Sequence, residues 1–180
     1  KGRWNHVRLN PKTGKPEKDF LWAPKASRKW CRLGFALTIL PLWHWETVQA
    51  NPDVPVIYVE GEAAVLACEA AGLVAVTFAG GSSTKNFGDA LEILRDRDVI
   101  LFPDNDDVSA TYMVRVYATL REIAKSVRYV ELSVQLPPKG DAVEYFALGG
   151  TAEDLTKPGT VDTPIADTID GAIRVRYPCE

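Results

Sequence analysis

The sequence predicts an α/β fold: a parallel sheet of about four strands flanked by helices, preceded by a small β-rich basic element. Three observations predict it. From Val54 onward, apolar runs of strand length alternate with longer segments of helical character, the pattern of βαβ units. Charged residues recur at the C-terminal ends of those runs, where open parallel sheets place their ligand sites. Residues 1–48 instead hold short aromatic and basic segments around a turn signal. With 46% hydrophobic and 25% charged residues among 180, the chain can bury a full core and is not a disordered one.

Each element follows from local chemistry. Val56 to Val59 is the first strand of the sheet, and a helix from about Glu62 to Ala71 is rich in Ala and Leu and closed by Gly72. Val74 to Phe78 is the second strand, Gly80 to Thr84 a turn, and Phe87 to Arg95 the second helix. Val99 to Phe102 is the third strand. After the acidic turn Asp104 to Asp107, the segment Ala110 to Lys125 spaces Met113, Val116, Tyr117, Leu120 and Ile123 as one face of a helix packed on the sheet. Val127 to Leu132 is the fourth strand, and Pro137-Pro138-Lys139-Gly140-Asp141 a stiff loop into a short helix ending near Gly149-Gly150. Upstream, Asn10-Pro11-Lys12-Thr13-Gly14-Lys15 marks a β-hairpin. The resulting division is a basic preface over 1–53, an α/β domain over 54–150, and a linker or C-terminal extension over 151–180 with one final strand in 172–177.

Charge is distributed unevenly. Residues 1–48 hold ten Lys or Arg against three Asp or Glu, a balance of +7, and the remainder carries −10, giving the net −3. A basic unit that meets phosphate and an acidic unit that holds cations are expected. The longest uncharged apolar stretch, 34–45, is too short to span a bilayer and contains Pro41 and His44, so no membrane segment is expected. Lys1 stands where an initiator Met would, and the chain reads as a piece of a longer one. Cys31, Cys68 and Cys179 are odd in number and far apart, which supports neither a disulfide framework nor a Cys-X-X-Cys zinc site and suits a reducing cytoplasm.

Three strand ends carry the chemistry. The first finishes at Glu60-Gly61-Glu62, with Glu60 the sharper candidate. The third finishes at Pro103-Asp104-Asn105-Asp106-Asp107, where Asp104 and Asp106 present hard oxygen ligands one residue apart. The fourth leads to Lys139-Gly140-Asp141, a further cation and carboxylate. Carboxylates packed this closely raise one another's pKa unless a cation compensates, and Mg²⁺ or Mn²⁺ fills that role near phosphates. Gly80, Gly81 and Lys85 lie in a glycine-rich turn able to meet a phosphate, although the Gly-Lys-Ser/Thr ending of a Walker loop is missing.

The succession Val59-Glu60-Gly61-Glu62, Gly80-Gly81 with Lys85, Phe102-Pro103-Asp104-Asn105-Asp106 and Lys139-Gly140-Asp141 resembles the Toprim domain of bacterial-type primases, topoisomerases and certain nucleases. It is most similar to the Toprim segment of phage and plasmid primases and primase-helicases, over about residues 54–150. The resemblance implies a catalytic set of Glu60, Asp104 and Asp106, with divalent metal on Glu60, Asp104, Asp106 and Asp141. It implies nucleotide contacts from Lys85, Gly80, Gly81 and Lys139. Two positions depart from the family pattern: Ala63 stands where a Lys commonly follows the second Glu, and Ser109 where a Gly is common.

The expected activity is metal-dependent nucleotidyl transfer in a DNA primase or primase-helicase, making short RNA primers on single-stranded DNA from NTPs beside a helicase domain or subunit. Phosphodiester cleavage, as in Toprim nucleases, and a non-catalytic nucleic-acid or nucleotide-binding module are the alternatives. In the preface, Arg3, Arg8, Lys12, Lys15, Lys18, Lys25, Arg28, Lys29 and Arg32 interleave with Trp4, Phe20, Trp22 and Trp30, a mixture suited to single strands or, equally, to a hairpin covering the sheet. His6 and His44 stand without a paired ligand spacing and read as surface or packing residues. Trp43 and Trp45 read as alternate positions of a strand, and Cys68 as a buried small hydrophobe.

Overall fold

The computed structural model describes residues 2–23, 40–82, 84–157, 166–169 and 172–175, with side chains described over 10–15, 40–82 and 84–157. The chain divides into two compact units, Lys1–Leu37 and Thr38–Glu180. In the first, β1 (Gly2–Leu9) and β2 (Pro16–Ala23) pair antiparallel from Gly2↔Ala23 to Leu9↔Pro16. The turn is built by Asn10, whose side-chain oxygen accepts the amides of Lys12 and Thr13 at 2.8 and 3.2 Å, while Gly14 takes φ 66°. Asn and Gly at those places are what the turn needs. The side chains of Arg3, Trp4, His6, Arg8, Lys18, Phe20 and Trp22, and the whole of Lys25, Arg28, Lys29, Trp30, Cys31, Arg32 and Cys179, lie outside the described residues.

The second unit is the α/β sheet. Its order is α1 (Trp45–Ala50), β3 (Val56–Val59), α2 (Glu62–Ala70), β4 (Val74–Val76), a 3₁₀ helix (Gly88–Leu94), β5 (Asp98–Phe102), α3 (Asp107–Leu120), β6 (Ser126–Tyr129), α4 (Ala142–Ala147) and α5 (Ala152–Thr156). The four strands are all parallel in the order β4-β3-β5-β6. Every residue of β3 is buried, as a central strand covered on both faces requires. One face packs Ile57, Val59, Ile100 and Phe102 against Val65 and Cys68 of α2 and Ala142 and Tyr145 of α4, with the Phe102 and Tyr145 rings edge to face at 5.6 Å. On the other face the Tyr58 hydroxyl meets that of Tyr112 on α3 at 2.7 Å. Met113, Val116 and Leu120 of α3 are buried as the periodicity predicts, whereas Tyr117 and Ile123 are partly exposed. Cys68 is a buried free thiol pushed up to about 12 by burial.

Several expected boundaries shift for local reasons. The α/β unit begins at Thr38, upstream of residue 54, because Leu40, Leu42 and Val48 are buried in it. Trp43 and Trp45 do not share a strand: Trp43 makes one antiparallel bridge to Thr77, His44 turns left-handed at φ 65°, and Trp45 starts α1. His44 is not solitary, since its Nδ1 lies 2.6 Å from Oε1 of Glu69 on α2. The segment after Phe87 is 3₁₀ rather than α; buried Leu91 and Leu94 are three residues apart, which suits three residues per turn. The helix expected from Ala110 starts at Asp107, because Asp106 caps it. Residues 151–180 contain α5 and an antiparallel pair, β7 (Ala166–Ile169) and β8 (Ala172–Val175), where a linker with one strand was expected.

At the end of the sheet opposite the strand C-termini, one guanidinium ties the chain leading into β3 to the start of β5. Arg97 donates to the carbonyls of Val48 at 3.0 Å, Asn51, and Val54 at 2.9 Å, while its own carbonyl accepts from Lys125 at 3.0 Å. Without that guanidinium the Asn51 and Val54 carbonyls lose this donor, while the Val48 carbonyl keeps the Asn51 amide. Arg97→Ala is expected to lower the unfolding free energy by about 2–3 kcal/mol in urea titration, against less than about 1 kcal/mol for Arg95→Ala. Arg95 pairs with Glu92 at the surface, both side chains about half exposed. Equal effects would remove the structural role of Arg97.

Candidate functional site

The strand order reverses direction between β3 and β5: the chain winds from β3 out to β4, then returns across β3 to β5 and β6. Loops leaving the two strands at such a point part in opposite directions and open a crevice beyond their C-terminal ends. Val59 pairs with Phe102, so Glu60 and Asp104, one and two residues beyond these strands, stand on either side of it.

The main chain of Glu60 is fixed by Thr77, whose hydroxyl donates to the Glu60 carbonyl at 2.8 Å. Its carboxylate Oε2 is buried and has no hydrogen-bond partner. The Tyr58 and Tyr112 pair stands near: burial, then each other's proximity for Tyr58, raises both phenols, and the charge of Glu60 adds to both shifts. Asp104 is half-buried, and its carboxyl is pushed up to about 7, first by burial and then by the charges of Glu60, Asp141, Asp106 and Glu144. Four carboxyl groups, from the loops after β3 and β5 and from the start of α4, thus act on Asp104.

Hydrogen bonds from the main chain hold three of these carboxylates. Asp106 accepts the Ser109 amide at 2.8 Å and caps α3, and the Ser109 hydroxyl accepts the Asp104 amide at 2.8 Å. Ser109, where the resembling family commonly has Gly, therefore closes the acidic turn with its side chain and is buried. Asp141 caps α4 through the Val143 amide at 2.6 Å, and Glu144 returns a carboxylate to the Asp141 amide at 3.0 Å. Burial raises the Asp141 carboxyl, whereas the hydrogen bonds Glu144 accepts lower its own. Asn105 joins the two turns. Its amide donates to the Gly140 carbonyl, its carbonyl accepts the Lys139 amide, and its side-chain nitrogen donates to Leu136 and Pro137.

Glu60, Asp104, Asp106 and Asp141 are thus brought together. Among the described residues no three Asp, Glu, His or Cys side chains converge as a ligand set, because Asp106 and Asp141 each turn an oxygen onto a helix amide. An all-oxygen, negatively charged group with an unpartnered buried oxygen still fits a hard divalent cation. Lys85 and Lys139 are exposed, and Lys139 takes φ 62° in the loop. Gly81 has φ 62°, and a Cβ on Gly80 would collide with the Thr84 hydroxyl and the Phe78 ring, so the loop needs both glycines. Beside it Arg115, its guanidinium 5.9 Å from the Tyr112 ring centroid, donates to the Ser82 carbonyl at 2.8 Å and keeps a buried Nε with no partner.

Sequence reasoning missed Asn105, Ser109, Glu144 and Arg115. Of these only Glu144 had a local signal, a Glu three residues after a capping Asp. No protein-family model matches the chain, and no curated protein matches its sequence.

Asp104 binds its proton more tightly in the fold than in the unfolded chain. Its contribution to stability is therefore fully present below the ordinary Asp range near 3.8 and is lost as pH rises toward 7. Without added metal, the melting temperature of Asp104→Asn is expected to lack this loss between pH 4 and pH 7. Parallel profiles for the two proteins would show that the fold does not raise the Asp104 carboxyl.

Proposed function

We propose that residues 54–150 form a Toprim-type domain that performs metal-dependent nucleotidyl transfer, making short RNA primers on single-stranded DNA from NTPs, as in phage and plasmid primases and primase-helicases. The observation that carries the reading is the meeting of Glu60 and Asp104 at the reversal of strand order, with the Asp141 loop bonded to the acidic turn. Its support from sequence is the resemblance of the same strand ends to that family.

Asp104 and Glu60 would hold Mg²⁺ or Mn²⁺, with Asp106 and Asp141 offering the oxygens their caps leave over. The bound ion supplies charge neutralisation at the transferred phosphoryl group and a lower pKa for the attacking 3′-hydroxyl. Glu60, with its unpaired buried oxygen, positions that ion or takes the hydroxyl proton. Lys85 and Lys139 are solvent-exposed and reach for triphosphate oxygens, and Gly80 and Gly81 keep the β4 loop low enough for phosphate to approach. The basic preface draws the template through its phosphates, and a helicase domain or subunit is the natural partner. A second reading, nucleotide or nucleic-acid binding without turnover, is favoured by the commitment of Asp106 and Asp141 to helix caps.

The test incubates the chain with single-stranded template, NTPs and Mn²⁺ or Mg²⁺, beside labelled DNA that reports cleavage. Primer synthesis is expected, and calorimetry of the Asp104→Asn, Asp106→Asn double variant should show Mn²⁺ binding abolished with the fold retained. Glu60→Gln should lower turnover by about a hundredfold with substrate affinity little changed, and Glu62→Gln far less. Cleavage without synthesis selects a nuclease. Binding without either selects the second reading, and equal losses for Glu60→Gln and Glu62→Gln would remove the role given to Glu60.

A further inference from the structure

The acidic group is assembled from turns far apart in sequence, and its two halves meet at Asn105. The loop before α4 contains Pro137 and Pro138, neither of which has an amide N–H to donate. Such a segment is anchored through its carbonyls, and carbonyls need donors. The Asn105 side-chain nitrogen supplies two bonds, to Leu136 O at 2.8 Å and Pro137 O at 3.1 Å. Main-chain bonds on either side complete the junction: Asn105 amide to Gly140 O at 2.8 Å and Lys139 amide to Asn105 O at 2.9 Å. The loop in turn closes on itself through the Gly140 amide and Pro137 O at 2.8 Å, with Lys139 in the left-handed conformation that this closure demands. An Asp or Ala at position 105 offers no such donor, and a longer amide would not fit the same two adjacent carbonyls without moving the turn.

We propose that Asn105 is a positioning residue: its carboxamide locks the Lys139-Gly140-Asp141 loop to the Asp104 turn, and divalent-cation affinity depends on that lock. The inference rests on the metal reading above and adds to it the residue that sets the distance between the carboxylates of β5 and of α4. Asn105 need not touch the cation. It acts as groups behind metal ligands act elsewhere, by fixing where the ligands stand, and loss of such a group typically weakens metal binding about 10–100-fold. Gly140 belongs to the same lock, because a Cβ there would come within 2.9 Å of Pro137 Cδ and Pro137 O and push the two strands of the loop apart.

The test is Mn²⁺ titration calorimetry on the full chain and three variants, with melting temperatures measured in parallel. Asn105→Ala and Gly140→Ala are each expected to weaken Mn²⁺ binding about tenfold or more, although every carboxylate is retained. Leu91→Ala, in the buried face of the 3₁₀ helix, is the control for general loosening: it lowers the melting temperature but should leave Mn²⁺ affinity within about twofold. Unchanged affinity in Asn105→Ala, or an equal loss in Leu91→Ala, overturns the role of Asn105. If Asn105→Ala does not fold, Gly140→Ala decides by the same criterion. An unmodified chain that binds no Mn²⁺ fails differently, because then the metal reading itself is wrong and the inference falls with it.

Discussion

Like charges held closer than they would choose to stand are the constraint around which the α/β unit is built. Glu60, Asp104, Asp106 and Asp141 approach one another because rigid strands and capped helices bring them there, and the Asp104 carboxyl is pushed up to about 7, first by burial and then by the charges around it. The mutual repulsion of these acids does not stabilise the fold. The cluster persists because helix amides take up part of the charge of Asp106 and Asp141, and because the buried strands beneath are too well packed to yield. A site that carries strain in one protonation state is poised to relax when a proton or a cation arrives, and that readiness distinguishes it from an ordinary run of surface acids.

The same logic explains the layout of the molecule. Apolar residues saturate both faces of the central strands, and polar chemistry is confined to the ends. At one end Arg97 gathers carbonyls of 48–54 and closes the sheet; at the other the carboxylates stand open. The excess of positive charge in residues 1–48 lies wholly in the first unit, and the excess of negative charge in the rest. Such a division gives the two units fields of opposite sign.

Most of the sheet was legible in the sequence because its signals are local. Val56 to Val59 is a run of four β-formers between breakers, Gly72 stops α2 with φ 83°, and Asn10 and Gly14 specify their own turn. The candidate carboxylates were legible too, since strand ends can be counted once strands are found. What escaped were partnerships between distant residues. Nothing near Asn105 announces that it will reach the carbonyls of Leu136 and Pro137, and nothing near His44 announces Glu69. Ser109 read as a departure from a family pattern, whereas its hydroxyl accepts the Asp104 amide and closes the turn. Helix ends were misjudged where a cap, not periodicity, sets them, as at Asp106.

The two phenols behind Glu60 have a consequence for how charged molecules approach. Tyr58 and Tyr112 are both fully buried, and burial raises both phenols above the range in which free tyrosines ionise. They form a buried, low-dielectric backing beside Glu60, and field lines from the acids are turned away from it toward solvent. Seen from solvent the crevice is a lens for positive charge. Any polyanion would meet repulsion there unless a cation entered ahead of it or travelled bound to it, so charge alone would set an order of arrival.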